Sequence, residues 1–577
     1  MAKVKITGHA SGSGVFTLTA PNSSTDRTIT LPDGTGTLSF GSSTAEIKAA
    51  ITLQTTATSN IGLGANAVNS ITTGDHNVGL GDNALTGATS GGSSVAIGTG
   101  ALQTMTTQSD NVAVGLNALR DNTASHTTAL GSYALYQNTS GAGNTALGYT
   151  ALESNTTGAS NTAVGKDSLD ANTTGSNNTA VGLNSLTANT TGNTNTAFGV
   201  DALSLNTTAH RNTAIGYSAL KVSARAGNSN ASNTAVGFNA GVATTTGVAN
   251  VFIGSQSADA NTTGSQNTAV GLGALGGNTT ASDNTAIGYY ALTANTTSPN
   301  NVGVGKDSLL TMTSGSGMNT AVGVGSLKLL TTGAKNTSTG FEALNAITTA
   351  EDNTAFGYRS LKANTTGSQN TAMGNTAGLH VTTGAHNTFI GLAAGAAANG
   401  VTTGSQNTCV GSNTSTNAAN CVGGITIGYN VTGQEDYSFT FGNGGTHRVY
   451  NRFNQNASWT RSSDERLKKD ITTNDNCGLG FINDLRTVTY KWKAPSEIAV
   501  GLEGHDTEIN EAKYKEKMYG FIAQEVKAAM DTHNITDFDG WTTAANGIEG
   551  ISYEMFVMPL VKAIQELSAK VTALENE

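Results

Sequence analysis

Residues 161–177 read NTAVGKDSLDANTTGSN, and the stretches on either side repeat that pattern with little change. The block holds a short β-favouring run from Asn161 to Val164, a glycine, a second short run ending in Leu169, and an Asn-Thr-Thr-Gly turn. The motif N-T-A-[VIF]-G ends at Gly148, Gly165, Gly182, Gly199 and Gly216. Looser copies run from Gly64 to Gly131, and further copies from Gly237 to Gly428. These are 22 marks separated by 21 intervals, of which 17 are 17 residues long. A fixed period of this kind signals stacked units, and it takes precedence over any local reading. Seventeen residues are too few for a helical hairpin but fit two short strands and their turns. The expectation is therefore a mainly β solenoid.

Each position in the unit then has a physical role. The glycines sit where a tight corner needs positive φ or close backbone approach. Asparagines at equivalent places in successive coils can form a ladder of side-chain amides. The residue before the glycine (Val164, Val181, Phe198, Ile215) and the later leucine (Leu169, Leu186, Leu203, Leu220) are the expected core line. Two large apolar groups per unit give about 1.5–3 kcal/mol each when buried. Fixing 17 backbones costs roughly 1–2 kcal/mol apiece. A lone coil stack is poorly placed against that cost, so several chains, expected to be three, should associate.

The remainder of the composition excludes several classes. The chain has 72 glycines and 5 prolines in 577 residues, with 12% charged and 6% aromatic residues. The glycines do not recur every third position, so collagen is out. Residues 1–462 hold 17 Lys+Arg and 19 Asp+Glu, whereas residues 463–577 hold 12 and 20. No stretch has the cationic excess that nucleic-acid binding needs. Cys409, Cys421 and Cys477 are too few for a disulfide framework or a metal cage, and no cofactor or metal is expected. No secretory signal and no membrane span is read. His76, His126, His210, His380 and His386 lack ligand spacing and read as exposed loop residues. The Asn-Thr-Thr sites at Asn155, Asn172, Asn189 and Asn206 read as turns rather than glycosylation sites.

The 17-residue units resemble the head repeats of trimeric bacterial adhesins, whose N-[VIT]-[AS]-[IV]-G pattern builds a left-handed parallel β-roll. The resemblance covers residues 60–430, and the expected absence of a signal and anchor removes bacterial self-display. At the N-terminus, VFTLTAP at 15–21 and RTITLPDGTGTLSF at 27–40 read as a β segment turning at Pro32-Asp33-Gly34. Thr28 to Leu38 is similar to the opening of many phage tail-fibre proteins, which implies attachment to the virion or capping of the shaft.

The C-terminal piece opens Ser462-Ser463-Asp464-Glu465-Arg466-Leu467-Lys468, continues through Tyr490-Lys491-Trp492 and Tyr519-Gly520-Phe521-Ile522-Ala523-Gln524-Glu525-Val526, and ends in a helix. Val557, Leu560, Ile564, Leu567, Val571 and Leu574 are spaced 3, 4, 3, 4, 3, which is an a/d seam. Together these motifs resemble the intramolecular chaperone autoprocessing domain that ends phage endosialidases, tailspikes and tail fibres. The resemblance covers 463–577. It implies a serine–lysine dyad that cuts the chain once after trimerisation, with Ser463 as nucleophile, Lys468 as base, Asp464 and Arg466 in the supporting motif, and cleavage between Ser462 and Ser463. A serine nucleophile needs an adjacent base, and a lysine serves as one only when desolvated or set near another cation. Five residues along one helix are about 140° apart, so the dyad needs a bend. The alternative is that Ser463 caps a helix whose first turn carries Asp464 and Glu465.

The expected fold is thus mainly β, a fibrous trimeric β-roll or β-solenoid followed by a small mixed α/β or mainly α chaperone domain ending in a trimeric coiled coil. The expected divisions are an attachment segment (1–45), the shaft (46–430), a junction (431–462) and the chaperone (463–577, with the coiled coil at 555–577). The expected function is a phage tail fibre in the virion, made in the host cytoplasm. Its partners would be itself as homotrimer, tail or baseplate proteins, and a bacterial surface glycan or protein receptor, without nucleic acid or membrane insertion. At most it is a single-turnover serine endopeptidase. The alternatives are a depolymerase acting on surface polysaccharide, or a bacterial adhesin. Candidate receptor contacts are the interruptions of the period, namely the 21-residue unit with Arg211, Lys221 and Arg225, and the 20-residue unit at 391–411.

Overall fold

The computed structural model describes residues 17–18, 27–28, 59–223, 229–397, 400–444, 447–452, 460–461, 465–500, 505–508, 517–544 and 547–577. The chain divides into two compact units, Met1–Ser462 and Ser463–Glu577. Of the expected N-terminal β segment, Thr17–Leu18 pairs antiparallel with Arg27–Thr28. The Pro32-Asp33-Gly34 turn and the rest of that segment lie outside the described residues.

The shaft is a β-solenoid of 22 coils. Its strands run from Ile61–Leu63 to Ile425–Tyr429, one per coil, each paired in parallel with the next. Equivalent residues stand in register, so Ala163, Ala180, Ala197 and Ala214 form one line. No pairing joins the first strand to the last among the described residues. The stack ends in Ser438–Asn443, which pairs in parallel with Ile425–Tyr429. The chain then turns back antiparallel through His447–Arg452 and Thr460–Arg461. Such a reversal occupies an edge that would otherwise template further strands.

Each coil has one strand, three residues long in all but the last, not the two expected. The second run is a turn because Asp167 (φ 57°) and Leu169 (φ 52°) both take the left-handed conformation, as their equivalents do along the stack. Thr162, Ala163 and Val164 alternate as strand residues must. The middle alanine is therefore fully buried, while the residues flanking it face outward. This corrects the expected core line. The inner line is Ala163, Ala180, Ala197 and Ala214 with Leu169, Leu186, Leu203 and Leu220. Val164 and Val181 are half-buried, and Phe198 is 56% exposed.

Two columns of asparagine complete the interior. In the first, Asn172 Nδ2 donates to Asn155 Oδ1 at 2.8 Å and to the Gly175 carbonyl at 3.0 Å, and Asn189 continues the ladder onto Asn172 at 2.8 Å. In the second, the Asn178 backbone N–H donates to Asn161 Oδ1 at 2.9 Å, and Asn161 Nδ2 reaches the Gly175 carbonyl at 2.8 Å. All of these asparagines are fully buried and partnered, as buried amides must be. The glycine of each strand corner is required twice over. Gly165 has φ 131°, and a Cβ there would lie 2.5 Å from the Gly182 carbonyl oxygen.

The C-terminal unit is small and mixed. Helix α1 (Leu479–Asn483), helix α2 (Ala523–Thr532) and helix α3 (Val557–Glu575) are joined by two antiparallel strand pairs, Val488–Tyr490 with Met518–Gly520 and Trp541–Thr543 with Glu549–Ile551. Its core is Phe481, Val526, Ala529, Met530, Ile535 and Phe556. Val526, Ala529 and Met530 fall on one face of α2 by their i, i+3, i+4 spacing. The Phe481 ring packs against Phe538, edge-on at 5.5 Å, and Phe556, stacked at 6.3 Å, and those two meet edge-on at 5.0 Å.

Candidate processing and assembly site

The processing segment begins where the two units divide. Ser462, Ser463 and Asp464 lie outside the described residues. Glu465–Leu467 forms a single 3-10 turn, closed by the Lys468 N–H donating to the Glu465 carbonyl at 3.0 Å. No regular helix continues from that turn through Lys468. Arg466, Lys468 and Lys469 are all exposed in the single chain.

Helix α3 is anchored at one end and bare along one side. Pro559 and Ala563 are buried against the unit, and the Glu566 carboxylate accepts the Leu479 N–H at the start of α1 at 2.8 Å. Gly478 leaves room for that carboxylate, since a Cβ there would lie 2.4 Å from Glu566 Oε1. Lys562 sits 3.6 Å from the other side of the same carboxylate. The seam residues Val557, Leu560, Ile564, Leu567, Val571 and Leu574 are all exposed, Ile564 at 65% and Leu574 at 71%. The sequence reading found the seam but missed the Glu566 anchor, which only the fold brings beside Leu479.

A second apolar line, unforeseen in the sequence, runs along the shaft. It is made by the third strand residue and the residue after the corner glycine. Phe198, Ile215, Tyr217, Phe238, Ile253, and later Phe356, Tyr358 and Ile390, are all exposed. Tyr217 stacks on Phe238 at 5.5 Å, and Phe341 on Tyr358 at 5.5 Å. Single exposed apolar residues are ordinary on a soluble chain, but contiguous lines of them mark contact surfaces.

The remaining sequence candidates are resolved as follows. Arg211 is exposed, Lys221 pairs with Asp201 at 3.2 Å, and Arg225 lies outside the described residues. His210 is buried rather than exposed, because its Nδ1 accepts the Asn193 N–H at 2.7 Å and so joins coil to coil. Cys409, Cys421 and Cys477 are free and buried. Burial pushes the Cys409 and Cys421 thiols up to about 12, so neither is a nucleophile near neutral pH. Among the described residues no helix is long and apolar enough to cross a membrane.

No curated protein and no solved structure matches the chain. Residues 463–535 match the peptidase S74 family, described as the chaperone of endosialidase, and this intramolecular chaperone region follows a long β-solenoid in the same chain.

Proposed function

We propose that this chain is a bacteriophage tail fibre: a homotrimeric rod that binds a bacterial surface receptor, joined through its N-terminus to tail or baseplate proteins. The observation that carries the reading is the bare seam of α3 in the same compact unit as a region matched to the endosialidase chaperone. A seam of under three heptads is marginal alone and gains from parallel copies. The apolar line on the shaft has the same need, since stacking cannot cover a face that runs the length of the stack. Association through both would supply the core that one coil lacks. A multivalent rod also lets weak receptor contacts multiply by avidity.

In this reading the chaperone then leaves. Ser463 attacks the carbonyl carbon of Ser462, Lys468 takes the hydroxyl proton and returns it to the departing amine, and an ester forms while the peptide bond breaks. Water then hydrolyses the ester. Lys468 is exposed in the single chain, so the surface that desolvates it must come from association, and cutting waits for assembly. The test is a denaturing gel with N-terminal sequencing. Wild type should give a 115-residue fragment starting at Ser463 beside the 462-residue shaft, and Ser463→Ala only the full 577-residue chain. Identical patterns would discard the dyad.

A further inference from the structure

Of the 21 intervals in the shaft, one is shorter than the rest: 16 residues from Gly115 to Gly131. Past the corner glycines on the coils beside that break, tyrosines and charged side chains cluster. Tyr133 and Tyr136 meet edge-on at 5.6 Å, and Tyr133 meets Tyr149 at 6.3 Å. The Arg120 guanidinium lies 3.9 Å from the centre of the Tyr136 ring and is held there by two hydrogen bonds to Asp121, at 2.9 and 2.8 Å. On the next coil Lys166 stands 5.9 Å from the Tyr149 ring, and Asp167 is fixed by Lys166 and Thr150.

Beside the tyrosines, Glu153 and Asp170 occupy equivalent places on consecutive coils, where burial and the Glu153 charge hold the Asp170 carboxyl above its ordinary value. The two following coils carry Thr187 and Ser204 at that place. Stacking two acids is a cost to the fold that a threonine would avoid. Locally unfavourable arrangements of this kind concentrate where a chain binds something.

We propose that Arg120, Tyr133, Tyr136, Glu153 and Asp170 form a binding site for an uncharged glycan; this rests on reading the chain as a receptor-binding fibre. Tyrosine rings offer an apolar body with a polar tip, suited to the mixed C–H and O–H surface of a sugar. The carboxyl oxygens accept sugar hydroxyls, and the guanidinium donates to them. Four coils at strand spacing span roughly 14 Å, room for a short oligosaccharide laid along the shaft. One point decides the ligand class. The cations Arg120 and Lys166 are each matched by a neighbouring aspartate, so no net positive field would draw an acidic polymer.

The experiment uses the full chain, fluorescently labelled, on a panel of bacterial strains read by flow cytometry. Wild type is compared with Tyr133→Ala, Tyr136→Ala and Asp170→Asn, each first shown to have the wild-type sedimentation and to melt no lower. The expected result is binding to at least one strain, reduced about tenfold or more by each variant. Uncharged surface polysaccharide extracted from that strain should compete. Variants that bind as well as wild type, or competition by an acidic polysaccharide fraction alone, overturn the site while leaving the fibre reading intact. Wild type that binds no strain overturns the receptor reading and this site with it.

Discussion

At the scale of single residues, the shaft is held by atoms that tolerate no substitute. Gly165→Ala should lower stability by at least ~1–3 kcal/mol from backbone strain alone, with a further loss from the contact with the Gly182 carbonyl. Asn172→Ala leaves Asn155 Oδ1 without its partner in the interior, while the Gly175 carbonyl keeps Asn161 and Asn189 Nδ2 keeps the Gly192 carbonyl. About 1–3 kcal/mol per orphaned group is the expected cost. Thermal or denaturant unfolding of each variant checks both. The ladder already has one natural flaw: Asn206 Oδ1 is buried without a partner among the described residues, because Ser223 stands where the next coil would offer asparagine.

Asp170 gives a residue-scale prediction about pH. Desolvation chiefly, then repulsion from Glu153 and Asp167, raises its carboxyl from the ordinary 3.8 to about 6. The folded chain therefore holds this proton more tightly than the unfolded chain does. Its contribution favours folding at low pH and is lost as pH rises between 3.8 and about 6. Asp170→Asn should remove that slope and stabilise the shaft near neutral pH, seen by comparing melting of variant and wild type at several pH values. A variant that keeps the slope would show that another group causes it.

At the scale of the coil, volume is exchanged between neighbours. Phe252 and Phe389 occupy strand centres that in most coils hold alanine, and both are fully buried. Gly241 beside Phe252, and Gly378 and Gly395 beside Phe389, stand where most other coils carry leucine. A Cβ on Gly241 would lie 2.5 Å from the Phe252 ring. Phe252→Ala alone should cost about 3–5 kcal/mol through the cavity it leaves. Adding Gly241→Leu restores the common pairing and should recover most of that loss, a coupling that a double-mutant cycle measures. The exchange can be read from the sequence once the coils are aligned, but its meaning depends on knowing that strand centre and leucine position face one another. On α3, Ile564→Asp should leave the single-chain unit folded, since Ile564 is exposed, and should reduce association in sedimentation.

For the whole molecule, the repeat implies more surface than one chain can cover. Sedimentation of the full chain should give three times the monomer mass. Residues 1–462 expressed alone should give monomer or aggregate, because the piece expected to align the copies is missing. A soluble trimer from 1–462 would remove the need for the chaperone.

The sequence by itself determined the solenoid, its period, the asparagine ladders and the α3 seam, because each recurs at a spacing that admits few geometries. A 17-residue period repeated in nearly every interval leaves little other than stacked coils. The tertiary structure alone decided which residues face inward. Val164 and Ala163 are both apolar and adjacent, and a three-residue strand is too short for alternation to be read from composition. The left-handed turn at Asp167 and Leu169 fixed the choice, putting leucine and alanine inside and leaving the larger residue outside. Glu566 beside Leu479 was likewise beyond the sequence. The pair meets only because the fold carries distant segments past one another, and no local pattern encodes that approach.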